Sequence, residues 1–93
     1  MRIVRSRHLE IRLEMRGIPS VLPETIYQLA QERYHDVETG YMIAVMDVEL
    51  YGRIREVSLV YVAVCDEVRL LTIHPLQEGQ KAASVASGRW RAM

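Results

Sequence analysis

The chain has 93 residues, 49% of them hydrophobic, enough for one continuous core in a single domain spanning 1–93, but a small core that a homodimer would usefully enlarge. Lys+Arg and Asp+Glu both total 12, which excludes a uniformly basic nucleic-acid binder, and no apolar run approaches the roughly 20 residues of a membrane span. The single cysteine, Cys65, excludes an internal disulfide, and the opening residues lack the apolar stretch of a secretory signal, so a cytoplasmic location is expected.

The charges are segregated. Residues 1–20 hold five Arg against two Glu, residues 21–67 three Arg against nine acids, and residues 68–93 four basic groups against Glu78. If the two basic ends meet in space, they form a local basic site that the zero net charge hides. Eleven of the twelve basic residues are Arg, whose forked guanidinium suits phosphate or carboxylate, although a compositional bias of the genome would produce the same excess.

In chain order, Ser6 is a candidate N-cap, and the segment 6–16 runs without a breaker to Gly17, a fitting residue just past a helix end. Pro19 forbids continuation. Pro23 and Glu24 mark the first turn of a second helix over 23–34, with Ile26, Leu29, Ala30 and Tyr34 at helical spacing. Beyond a polar loop at 35–40 the period becomes that of strands, predicted over about 41–50, 54–65 and 68–74. The short connections between them, one carrying Gly52 and one Asp66-Glu67, require antiparallel pairing. The tail, 76–93, holds a weak helical segment at 80–87 before Gly88. The expected fold is therefore α+β, with two N-terminal helices followed by an antiparallel three- or four-stranded meander and a short C-terminal helix or tail.

Helix one carries the most informative pattern. His8, Arg12 and Arg16 recur four apart and form one stripe. At about 100° per residue the stripe runs between an apolar row of Leu9 and Leu13 and another of Ile11 and Met15, whereas Glu10, Glu14 and Arg7 mark the opposite, solvated face. The stripe is thus expected to face the body of the protein. Inward guanidiniums require partners. Either they pair with Asp47, Glu49 or Glu56 on the strands, or they line a cleft for an anion.

In a cleft, these residue types suit phosphate chemistry without metal, because Arg forks hold phosphate oxygens and His exchanges protons near neutral pH. His74, before Pro75, is the second candidate acid or base, with a plain structural role as the alternative. His35 is expected to be exposed. Arg89, Trp90 and Arg91 form a candidate RNA-binding cluster in which the indole stacks a base, unless Trp90 folds back to cap the core. The histidines and Cys65 lack paired ligand spacing and there is no Gly-rich phosphate loop, so neither a metal nor another cofactor is expected.

The run His8-x-x-x-Arg12-x-x-x-Arg16-Gly17-Ile18, followed by a second helix and a meander, resembles a family of small bacterial and archaeal domains of unknown function that is distantly similar to RelE/ParE-type toxins. The resemblance covers about residues 6–74. It implies a RelE-like fold shared with metal-independent ribonucleases of toxin–antitoxin systems, with His8, Arg12 and Arg16 lining the site and RNA and an antitoxin-like protein as partners. One departure is plain: RelE-type toxins are strongly basic and place basic or tyrosine catalytic groups late in the chain, where this sequence has only Lys81, Arg89 and Arg91. The alternative is a non-catalytic interaction module, a homodimer or complex subunit whose helix-one arginines are structural.

Overall fold

A computed structural model of the chain describes residues 2–93. Its elements, in order, are β1 (Arg2–Arg5), α1 (Arg7–Arg16), α2 (Leu22–Leu29), β2 (Glu32–Asp36), β3 (Met42–Leu50), β4 (Arg53–Val64), β5 (Glu67–Pro75), α3 (Gln80–Ala86) and β6 (Trp90–Ala92). The strands form one six-stranded sheet in the order β1-β5-β4-β3-β2-β6. β1 runs parallel to β5, and the other pairs are antiparallel. The α+β class stands, but the expected pair of helices with a three- or four-stranded meander is corrected to three helices on a six-stranded mixed sheet. No helix among the described residues is long and apolar enough to cross a membrane.

The three strands that sequence periodicity missed have local reasons to be missed. β1 and β6 are four and three residues long, too short to establish a period. β2 was expected to be the end of helix two, because Tyr34 continues its apolar spacing. The helix instead ends at Leu29, and Ala30 turns extended at φ −62° and ψ 130°. Arg33 explains the stop. Its guanidinium donates to the carbonyl of Ala30 (3.2 Å), to that of Tyr27, and to the Tyr61 hydroxyl (3.1 Å), while lying over both tyrosine rings. It takes up carbonyls left free at the helix end and redirects the chain into β2.

α1 forms where expected. Ser6 is the extended N-cap whose Oγ accepts the Leu9 N–H at 3.0 Å, and Gly17 supplies the left-handed residue (φ 60°) that closes the other end. Its position is set by a bulge. β1 pairs with β5 only from Glu67 to Leu70, and the β4–β5 register then shifts between Val60 and Tyr61, leaving Leu71 without a cross-strand partner. Ser6 holds that point through its N–H to Leu70 O (2.9 Å) and its hydroxyl to Leu71 O (2.7 Å). From there α1 packs against β5.

Both sheet faces are covered. On one, Leu9 and Leu13 of α1 and Leu22 and Ile26 of α2 pack against Val57, Leu59, Leu70 and Ile73. On the other, Ile43, Val45 and Trp90 form a smaller cluster with Tyr34, Val60 and Leu76. Lys81 ties α3 to the sheet by pairing with Glu56 (2.5 Å) on β4 and Glu32 (2.8 Å) on β2. The β3–β4 hairpin turns at Tyr51 and Gly52, both at positive φ, and the Tyr51 hydroxyl donates to the Arg16 carbonyl at 2.5 Å, fixing the end of α1 to the hairpin tip.

Charge-assisted hydrogen bonds such as those of Arg33 contribute about 1.5–3 kcal/mol each. We expect Arg33→Ala to cost about 2 kcal/mol in denaturant unfolding, whereas Arg53→Ala, at an exposed position, should leave the midpoint almost unchanged.

Candidate functional site

The stripe on α1 exists, but at the helix boundary rather than beneath it. Arg12 is half-buried, His8 and Arg16 are exposed, and only the Leu9–Leu13 row enters the core. The second apolar row stays open, with Ile11 46% and Met15 80% exposed, so the expected inward-facing stripe is corrected. Arg12 Nε–H donates to His8 Nε2 at 3.2 Å, which leaves the ring proton of a neutral His8 on Nδ1. Among the described residues neither Arg12 nor Arg16 forms an ion pair. Of the acids they were expected to meet, Glu56 is engaged by Lys81, and Asp47 and Glu49 form no ion pair.

His74 stands on β5 opposite Ser58, whose buried hydroxyl donates to the His74 carbonyl at 3.3 Å. Burial pushes its imidazole below the ordinary value of 6.5, and the positive charges of Arg12 and Arg16, with His8, push it further down. Those groups act on it because the bulge and the Ser6 clamp seat α1 beside this strand. The charges of His8, Arg12 and Arg16 thus reach His74 across the rim where α1 meets β5, although His8 and His74 line different cavities. His74 lines a cavity of about 180 Å3 with Ser58, Gln80 and Ser84. His8 lines a larger one of about 410 Å3 walled by Tyr41, Ile43, Val60, Leu71 and Thr72. The two abut, sharing Ile43, Val60, Asp36 and Arg89 as walls.

The C-terminal cluster is taken apart by strand alternation and by an acid that the sequence did not single out. Arg89 is held by Asp36 (3.2 Å) and Glu38 (3.1 Å), so its fork is occupied. Burial alone would raise the Asp36 carboxyl, which is 4% exposed; the Arg89 bonds and the N–H groups of Glu38 and Thr39 outweigh that and hold it below its usual value. Trp90 is 8% exposed and packs on Tyr34 with ring centroids 5.5 Å apart. It caps the smaller core cluster and offers no free face to stack a base. Arg91, next along β6, is exposed on the other side of the strand, beside His35. Arg89, Trp90 and Arg91 therefore do not converge as a clamp, and His35 is exposed as expected.

Sequence reading also passed over Thr72. Its hydroxyl oxygen is buried without a hydrogen-bond partner beside the larger cavity. The available signal was one hydroxyl residue in an otherwise apolar stretch of β5. Among the described residues no three His, Cys, Asp or Glu side chains stand together as a metal-ligand set. No protein-family model matches the chain, and comparison with curated proteins and with solved structures returns no match.

Because His74 binds its proton more weakly in the folded protein than in the unfolded chain, acidification through about 6.5 protonates the unfolded form first, and this residue then subtracts from stability. In a proton NMR titration the His74 ring should accordingly show a midpoint below 6.5, and His74→Gln should flatten the part of the stability loss that occurs between that midpoint and 6.5.

Proposed function

We propose that the protein is an RNA-directed domain that cleaves or binds single-stranded RNA without a metal. The reading is carried by one observation: two guanidiniums without acid partners, Arg12 and Arg16, lie with His8 within electrostatic reach of a histidine held neutral. Free Arg forks suit phosphate, and a neutral imidazole suits proton removal. In cleavage, His74 takes the proton of a ribose 2′-hydroxyl, whose oxygen attacks the adjacent phosphorus. The bond to the 5′-oxygen breaks, and that oxygen receives a proton from His8, giving a 2′,3′-cyclic phosphate and a 5′-hydroxyl. The form of His8 that gives this proton is the imidazolium, whose Nε2 carries hydrogen and cannot accept from Arg12, so the Arg12 fork is free for the phosphate before the step begins. Arg89 has no part in this scheme, since Asp36 and Glu38 hold it. An exposed, unpaired Cys65 thiol agrees with a cytoplasmic setting.

A second reading, a non-catalytic interaction module forming a homodimer or receiving an antitoxin-like protein, is supported by Ile11 and Met15, which lie exposed one turn apart on α1. On this reading Met15→Asp abolishes association in sedimentation experiments, and a wild type that sediments as a monomer without a partner protein contradicts it.

The first reading is tested with mixed single-stranded RNA in EDTA. His8→Ala and His74→Gln should each lower cleavage by about 100-fold or more, and Arg12→Ala should weaken binding about tenfold. An inert wild type whose Arg12→Ala variant differs only in melting temperature would contradict it.

A further inference from the structure

The larger cavity contains no unpaired charge of its own beyond the His8 edge. Its walls are Tyr41, Ile43, Val60 and Leu71, with Thr72 as the one lining residue whose side-chain polar atom is buried without a partner. Asp36 and Arg89, which also border it, are bonded to each other. About 410 Å3 falls within the range of small-ligand sites, roughly 300–1,000 Å3. A phosphate would gain little among these side chains. A flat, mostly apolar group with a few hydrogen-bonding atoms on its edge suits them better.

We infer that this cavity receives one nucleobase of the bound strand, stacked beside Tyr41 and the aliphatic wall, with the Thr72 hydroxyl as its hydrogen-bond partner. The inference rests on the RNA reading and extends it by naming where base identity is felt. Two observations point the same way. A buried hydroxyl without a partner is costly to the free protein, and because Thr72 lines the cavity, a rotation about χ1 that turns the oxygen into it lets a ligand edge satisfy it. The cavity also abuts the one that His74 lines, so a base placed in it leaves its own ribose and phosphate at the His8–His74 rim. Unstacked bases of single strands are taken up in this manner, through a stacking surface and edge hydrogen bonds.

The test compares a mixed-sequence RNA hexamer with an abasic hexamer of the same backbone charge, by fluorescence anisotropy. Wild type should bind the base-bearing hexamer about tenfold or more tightly. Thr72→Val should lose roughly three- to tenfold of that preference while melting no lower than wild type, because it removes a buried, unpartnered hydroxyl. Equal binding of the two hexamers by wild type would overturn the base pocket and leave a backbone-directed RNA reading standing. A Thr72→Val variant with unchanged preference would overturn the role of the hydroxyl. If neither hexamer binds, the RNA reading itself falls, and the pocket is judged on free ribonucleosides at millimolar concentration. Shifts of the Ile43, Val60 and Leu71 methyl resonances would sustain it, and their absence would overturn it.

Discussion

The arrangement of this molecule depends on Ser6. Its N–H continues the parallel β1–β5 ladder to Leu70 O, its hydroxyl donates to Leu71 O at the bulge, and the same oxygen accepts the Leu9 N–H in the first turn of α1. One small side chain therefore ends a strand, starts a helix and fixes that helix against β5. Because the anchor lies two residues before His8, the first turn of α1 must emerge beside β5, the strand that carries His74. The register of the stripe against the sheet follows from this anchor more than from the arginines themselves.

Electrostatics decides which cations stay free. The acidic middle of the chain is neutralised piece by piece: Arg5 holds Glu24, Lys81 bridges Glu32 and Glu56, and Arg89 joins Asp36 and Glu38. Each of these pairs ties a terminal segment or α3 to the body of the domain. Arg12 and Arg16 are left out of that neutralisation. The two basic ends meet only in part: β1 and β6 occupy opposite edges of the sheet, but Arg69 stands beside Val4 of β1, and Arg89 borders the cavity that His8 lines.

What was legible in the sequence was local. Ser6, Gly17, Pro23 and the alternating run through β3, β4 and β5 carry their structural meaning in neighbouring residues, and α1 with those strands lies close to the expected positions. What was not legible depended mostly on contacts distant in sequence. β1 exists because β5 is there to pair with it, and Trp90 is a cap because β6 returns to β2; the early stop of α2 is a nearer effect, Arg33 folding back on carbonyls three and six residues before it. For the candidate site, spacing put His8, Arg12 and Arg16 on one stripe, and His74 was a second candidate from its place at the end of a predicted strand, with nothing to indicate that the charges of the stripe would reach it. Asp36, which removes Arg89 from any phosphate role, and Thr72, with its unpartnered hydroxyl, carried no pattern to mark them.

α1 and β5 form one electrostatic unit if Arg12 and Arg16 act on His74. The decisive experiment follows the His74 ring resonance through a pH titration in wild type and in an Arg12→Gln/Arg16→Gln variant whose fold is checked by the same spectra. Removing the two cations should move the His74 midpoint upward, toward but not past 6.5, since burial continues to disfavour the charged ring. An identical midpoint in the two proteins would contradict the account, because it would mean that the stripe and the histidine do not share a site.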